Sequence, residues 1–251
     1  MAGAVLLLFL TVCPSARLTA QGWRVVAWGA YEGVTDADDW SALGGQLSRV
    51  SRRGHGAWLA AEQLGRFGAR DVTVRVGGVW HPGPRWWITA EFSTGTDPEF
   101  APKNAWEADA TTLLGPRAGV GVGYRRQNYF AGPVDVAIPH LRVEVGRTSW
   151  DARVFLSRNP SERTDVAYLV RVTVPVGPRA AAWLGAGAGR ESFVVGTPPA
   201  QTVRSLETVT GVVGARYNAG KGMILRMDAT VVRSRPVLSR RGVAVAIERS
   251  F

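Results

Sequence analysis

The stretch Val166–Val176, VAYLVRVTVPV, puts Val166, Tyr168, Val170, Val172, Val174 and Val176 on one parity and Arg171 and Thr173 on the other. Period-two alternation marks a strand whose two faces meet different surroundings. The pattern recurs outward in both directions. Val72, Val74, Val76 and Trp80 alternate with Asp71, Thr73 and Arg75. Val120, Val122 and Tyr124 alternate with Gly119, Gly121, Gly123 and Arg125. Met223, Leu225, Met227, Ala229 and Val231 alternate with Arg226, Asp228 and Thr230. No stretch has a helical period. In Val134–Val145 the apolar parity changes at Pro139-His140, which predicts a bulge there.

Turn chemistry cuts these runs into two sets. The tight set is 52–55, 81–85, 115–117, 146–150, 176–179 and 218–222. The longer, more polar set is 33–39, 67–71, 93–104, 128–133, 157–165, 195–203 and 234–241. The sets alternate, as periplasmic turns and outer loops do in transmembrane barrels. The reading is an all-β, transmembrane antiparallel β-barrel of about fourteen strands, within a range of roughly twelve to sixteen. Aromatics near the strand ends predict two girdles. Trp80, Trp86, Trp87, Trp150, Trp183 and Tyr217 lie beside the tight turns. Tyr31, Trp40, Phe92, Trp106, Tyr129, Phe130 and Phe193 lie beside the longer loops. Trp28 falls mid-strand and fits neither.

The chain's ends supply an address. Ala4–Cys13 is an apolar run too short to span a bilayer as a helix, and Pro14 breaks it. Residues 1–20 read as a cleavable signal peptide and 21–251 as the barrel domain. The C-terminal segment alternates Val243, Val245 and Ile247 and ends at Phe251, which resembles the assembly signal read by the barrel assembly machinery. That machinery is one expected partner. Outer-membrane lipids and lipopolysaccharide are the others, with Arg163, Arg204, Arg233, Arg235, Arg240 and Arg241 as phosphate contacts. The expected location is the outer membrane of a Gram-negative bacterium.

Composition excludes several classes. A single cysteine, Cys13, leaves no disulfide framework. A mean hydropathy of −0.01 is too polar for a helical membrane bundle. The net charge of +10 comes from basic residues dispersed at strand spacing, not clustered as for nucleic acid. No catalytic residue, cofactor or metal site is read. His55, His81 and His140 have no evident Ser and carboxylate partner at an outer rim, and Asp36, Asp38 and Asp39 read as a solvated loop.

Several segments resemble the YaiO-type outer-membrane β-barrel family. They are Leu47–Asp71, with Arg66-Phe67-Gly68; Ser93–Trp106, with Asp97-Pro98; and Gly121–Phe130. The resemblance implies an outer-membrane barrel and brings no defined biochemical activity.

Charges on the parity away from lipid are the candidate lumen lining. They are Arg24, Arg49, Glu62, Arg66, Arg75, Arg125, Arg142, Glu144, Arg171, Arg216, Arg226, Asp228 and Glu248. Arginine exceeds carboxylate in this set, which predicts a positive, porin-like bore attracting anions. The expected function is a non-enzymatic channel or transport-related barrel. The alternatives are a structural envelope barrel plugged by salt bridges and a rim enzyme acting on lipid.

Overall fold

The computed structural model describes residues 22–251 except 36, 67, 161–163, 196–197, 199–200 and 236–237. The signal peptide expected over residues 1–20 lies outside the described residues.

Fourteen strands form one closed antiparallel barrel, each paired with its sequence neighbours and β1 closing on β14. The first seven are β1 (Gly22–Val34), β2 (Trp40–Val50), β3 (Gly56–Arg66), β4 (Ala69–Gly83), β5 (Trp86–Thr96), β6 (Asn104–Leu113) and β7 (Ala118–Tyr129). The rest are β8 (Gly132–Val145), β9 (Thr148–Arg158), β10 (Thr164–Pro175), β11 (Ala180–Val195), β12 (Thr202–Gly220), β13 (Met223–Arg235) and β14 (Leu238–Ser250). Closure removes both sheet edges, so every backbone donor and acceptor in the wall can be paired within the protein.

Period two decides the two faces. Leu43, Leu59, Val76, Tyr168, Leu184, Val213, Met227 and Ile247 point outward and are exposed, Leu43 and Leu184 at 67%. An apolar belt of this extent is a lipid-facing surface rather than a water-facing one. Outward aromatics fall at its two borders. Trp23, Trp80, Trp86, Trp150 and Tyr217 border the rim that carries both termini. Tyr31, Phe92, Trp106 and Phe130 border the opposite, loop-bearing rim. Trp40 and Trp183 leave the girdle positions expected of them. Both are buried on the inward parity, as is Trp28.

Two further expectations change. The strands run longer than the turn chemistry suggested, so loop length does not strictly alternate. β3 and β4 are separated only by residues 67–68, and β7 and β8 only by 130–131. There is also no bulge at Pro139-His140. The β7–β8 register runs through Val122↔Pro139 and Gly121↔His140 unshifted. Val134, Val136 and Ile138 are buried inward, where they pack with Tyr129, Phe155 and Val203. An apolar patch inside the barrel thus mimicked a change of phase.

Candidate functional site: the bore

A recurring three-strand motif lines the bore. Trp28 on β1 pairs directly with Gly44 on β2, and Gly44 pairs with Glu62 on β3. The indole lies across the glycine and donates its Nε1–H to Glu62 Oε1 at 3.0 Å. Trp58, Gly77 and Glu91 repeat this on β3, β4 and β5, with the bond at 2.8 Å. Trp183, Gly214 and Asp228 repeat it on β11, β12 and β13, at 2.9 Å. Two interstrand steps span about 9.5 Å. An indole and a carboxylate bridge that distance only if the middle position has no side chain. A Cβ at Gly214 would lie 2.5 Å from the Trp183 ring, and one at Gly44 or Gly77 would overlap its indole still more.

Arginines cover two of these indoles. The Arg226 guanidinium lies 4.9 Å from the Trp183 ring centre and also pairs with Asp228 at 2.9 Å. Arg75 lies 5.5 Å from the Trp28 ring and 3.8 Å from Glu91. The buried Asp228 is therefore held by a charge-assisted bond and an indole N–H, which offsets its lost hydration.

The same geometry, run in the other direction, builds a polar cluster. His140 on β8 lies across Gly121 on β7 and meets Thr111 on β6, with Nε2 to Oγ1 at 3.1 Å. Thr111 donates to Asp109 at 2.9 Å, and the Asp109 carboxylate lies 3.5 Å from His140 Nδ1. The sequence expectation of a non-enzymatic barrel is withdrawn. It rested on histidines lacking a Ser and carboxylate partner at an outer rim, whereas His140 has a threonine hydroxyl and a carboxylate beside it within the bore.

Twelve of the thirteen candidate lumen residues share the inward parity of their strands. Arg24 pairs with Glu248 at 3.0 Å, and Arg125 with Glu107 at 2.5 Å. Arg142 meets Glu144 at 3.5 Å. Glu62, Arg66, Arg75, Arg125 and Asp228 are buried, whereas Glu144 and Arg216 are exposed near the terminal rim. Arg49 is the exception. It shares the outward parity of Leu43 and Leu47, is exposed, and stacks 5.5 Å from the outward ring of Trp23.

Among the described residues, sequence reasoning missed Glu32, Asp71, Glu91, Glu107, Asp109, Asp151 and Asp165, all inward, against only Arg153 and Arg240. The predicted arginine surplus therefore disappears, and the wall is close to charge-balanced. The usable signal was parity relative to outward aromatics: Phe92 and Trp106 face lipid, so Glu91 and Glu107 beside them face in. Arg240 is also removed from the lipopolysaccharide contacts. It is 1% exposed, paired with Glu32 at 3.2 Å and stacked on Trp40. Arg163 lies outside the described residues.

One connection folds into the mouth at the loop rim. The carboxylate of Asp71, fully buried on β4, accepts from the backbone amides of Glu99, Phe100 and Ala101 at 2.8, 2.9 and 2.6 Å. This seats Phe100 against Ala42, Leu64 and the Arg66 guanidinium. Gln201 ties it to two other connections, donating to the Glu99 carbonyl and accepting from the Ala131 amide.

Comparison with known proteins agrees on architecture. The chain is similar to CymD, a monoaromatic hydrocarbon channel, with a TM-score of 0.64 at 10% identity over 92% of this chain and 89% of that one. It is similar to a bacterial polysaccharide outer membrane secretin, with a TM-score of 0.63 at 9% identity over 92% and 99%. Omp33 of Acinetobacter baumannii gives 0.54 at 12% identity over 92% and 99%. The fold is that of the outer-membrane β-barrels. No protein-family model matches the chain, and no curated protein matches it in sequence. OmpT of Vibrio cholerae also matches, at 8% identity and a TM-score of 0.47, a likeness from which neither an activity nor its absence follows.

Proposed function

We propose that this protein is a channel-type outer-membrane barrel of the YaiO type, with a charge-balanced bore and a loop seated in one mouth. One observation carries this reading. Seven of the bore's ion pairs run along the wall and not across it. Arg142–Glu144, Arg153–Asp151 and Arg226–Asp228 lie within single strands. Arg24–Glu248, Arg75–Glu91, Arg125–Glu107 and Arg240–Glu32 join adjacent strands. A salt-bridged plug would tie opposite walls together, and fourteen strands enclose room for water between them.

On this reading the chain resides in the outer membrane of a Gram-negative bacterium. Residues 1–20 export it, and the barrel assembly machinery reads β14 and Phe251. Lipopolysaccharide phosphates meet the exposed Arg204, Arg233 and Arg241 at the loop rim. The CymD channel shares the fold, which is consistent with transport without specifying a cargo.

Planar-bilayer recording tests the reading. Discrete conductance steps with weak ion selectivity are expected, since fixed charges of both signs line the wall. A strongly anion-selective pore would contradict the balanced wall. Silence from both the native protein and Asp71→Ala, which unseats the mouth loop, would favour the structural-barrel alternative.

A further inference from the structure

With the wall near balance, the net charge of the barrel domain, +9 once Arg17 is set aside with residues 1–20, must reside elsewhere. It collects on the terminal rim. Arg52 and Arg53 lie between β2 and β3, Arg85 between β4 and β5, and Arg117 between β6 and β7. Arg147, Arg179 and Lys221 occupy the three remaining turns. All six turns thus carry a cation, none carries Asp or Glu, and every one of these cations is exposed. The loop rim differs. Its exposed arginines stand among Asp38, Asp39, Asp97, Glu99 and Glu207.

The crown lies at the height of the interfacial aromatics. Arg85 adjoins outward Trp86. Arg49 stacks on outward Trp23, and Arg249 lies 5.1 Å from the ring of Phe251. An indole at the border of an apolar belt lies at headgroup level, so these guanidinium groups reach the same depth as lipid phosphates. Guanidinium binds phosphate in a planar, bidentate fashion, and six of the seven turn cations are arginine.

We infer that the terminal rim is a binding ring for the phosphate groups of anionic phospholipids in the adjoining leaflet. The ring fixes the barrel's depth and recruits an annulus of anionic phospholipid on that side. This requires a membrane-embedded barrel but not a conducting one, so lipid recruitment and conductance can fail separately.

The test compares the native protein with R52Q/R53Q/R85Q/R117Q/R147Q/R179Q. The backbone carbonyls of Arg85, Arg117 and Arg179 accept from Leu113, Glu144 and Asn218, bonds that glutamine keeps. Folding is checked by unheated gel mobility. Both proteins are reconstituted with phosphatidylglycerol and phosphatidylethanolamine and re-extracted in zwitterionic detergent, and the retained lipids are quantified. The native protein should hold phosphatidylglycerol several-fold above the bulk ratio, and the variant should hold the bulk ratio. Native enrichment should also fall between about 0.1 M and about 1 M salt, as the Debye length drops from ~10 Å to ~3 Å. That arm needs no variant to fold.

A bulk ratio in the native protein, or full enrichment in the variant, overturns the inference. So does a loss seen only in R204Q/R233Q/R241Q at the opposite rim. Tight binding of polyphosphate in detergent without phosphatidylglycerol enrichment would assign the crown to a soluble polyanion instead.

Discussion

Trp28 lies across Gly44, its direct register partner, and reaches the carboxylate of Glu62 on the strand beyond. The absent side chain is what makes the contact. The exchange Gly44→Ala should therefore cost about 1–3 kcal/mol through overpacking. A Cβ there also meets the Ala61 carbonyl at 2.9 Å, so the indole cannot relieve all of it. Urea unfolding in detergent micelles measures the loss. Trp28→Ala combined with Gly44→Ala should cost less than the two single changes added. Strict additivity would show that the indole and the glycine do not interact.

Asp228 serves the Trp183 indole and the Arg226 guanidinium together. Replacement by alanine leaves both donors facing the bore. We expect a loss of about 1–3 kcal/mol, with Asp228→Asn losing less because an amide oxygen still accepts the indole N–H. Unfolding midpoints would rank the two variants, and equal values would count against the shared-acceptor role.

Asp71 holds the loop in the mouth through three consecutive amides. Asp71→Ala should free residues 97–103 while the barrel persists, because these bonds lie beyond the strand ladder. Chymotrypsin should then cleave after Phe100 in the variant and spare it in the native protein. Conductance should rise or become noisier in the same variant. An uncut Phe100 would mean that packing alone seats the loop.

In the β1–β2 connection, the Asp39 carboxyl accepts from the Tyr31 hydroxyl and the Val34 amide, which hold it below the usual carboxylate range. A depressed carboxyl stabilises the folded connection above its unfolded pKa, and that contribution is lost as pH falls through the folded one. Acid should therefore loosen residues 35–39. Tyr31→Phe should move the Asp39 titration upward toward the ordinary value. Carboxyl chemical shifts across a pH series report it, and an unmoved midpoint would assign the effect to the Val34 amide.

Parity was legible wherever one face was uniformly apolar. Met223–Val231 announces its lipid face because Leu225, Met227 and Val231 share it with no competing apolar set inside. Val134–Val145 misled because Val134, Val136 and Ile138 are apolar and inward, so hydrophobicity no longer distinguished lipid from bore. Trp183 misled in another way. Its position beside a turn suits an interfacial aromatic, yet it points inward to an acid two strands away.

The sequence by itself determined a strand-built, closed, lipid-belted barrel and its approximate strand number, because period two and turn chemistry are local. Tertiary structure alone decided which charges meet. The Trp-Gly-acid rungs join residues 34, 33 and 45 positions apart, and only register brings the members together. The same registration balanced the bore and left the excess positive charge on the terminal rim. Charge balance depends on which side chains share a cavity, and no local pattern encodes that.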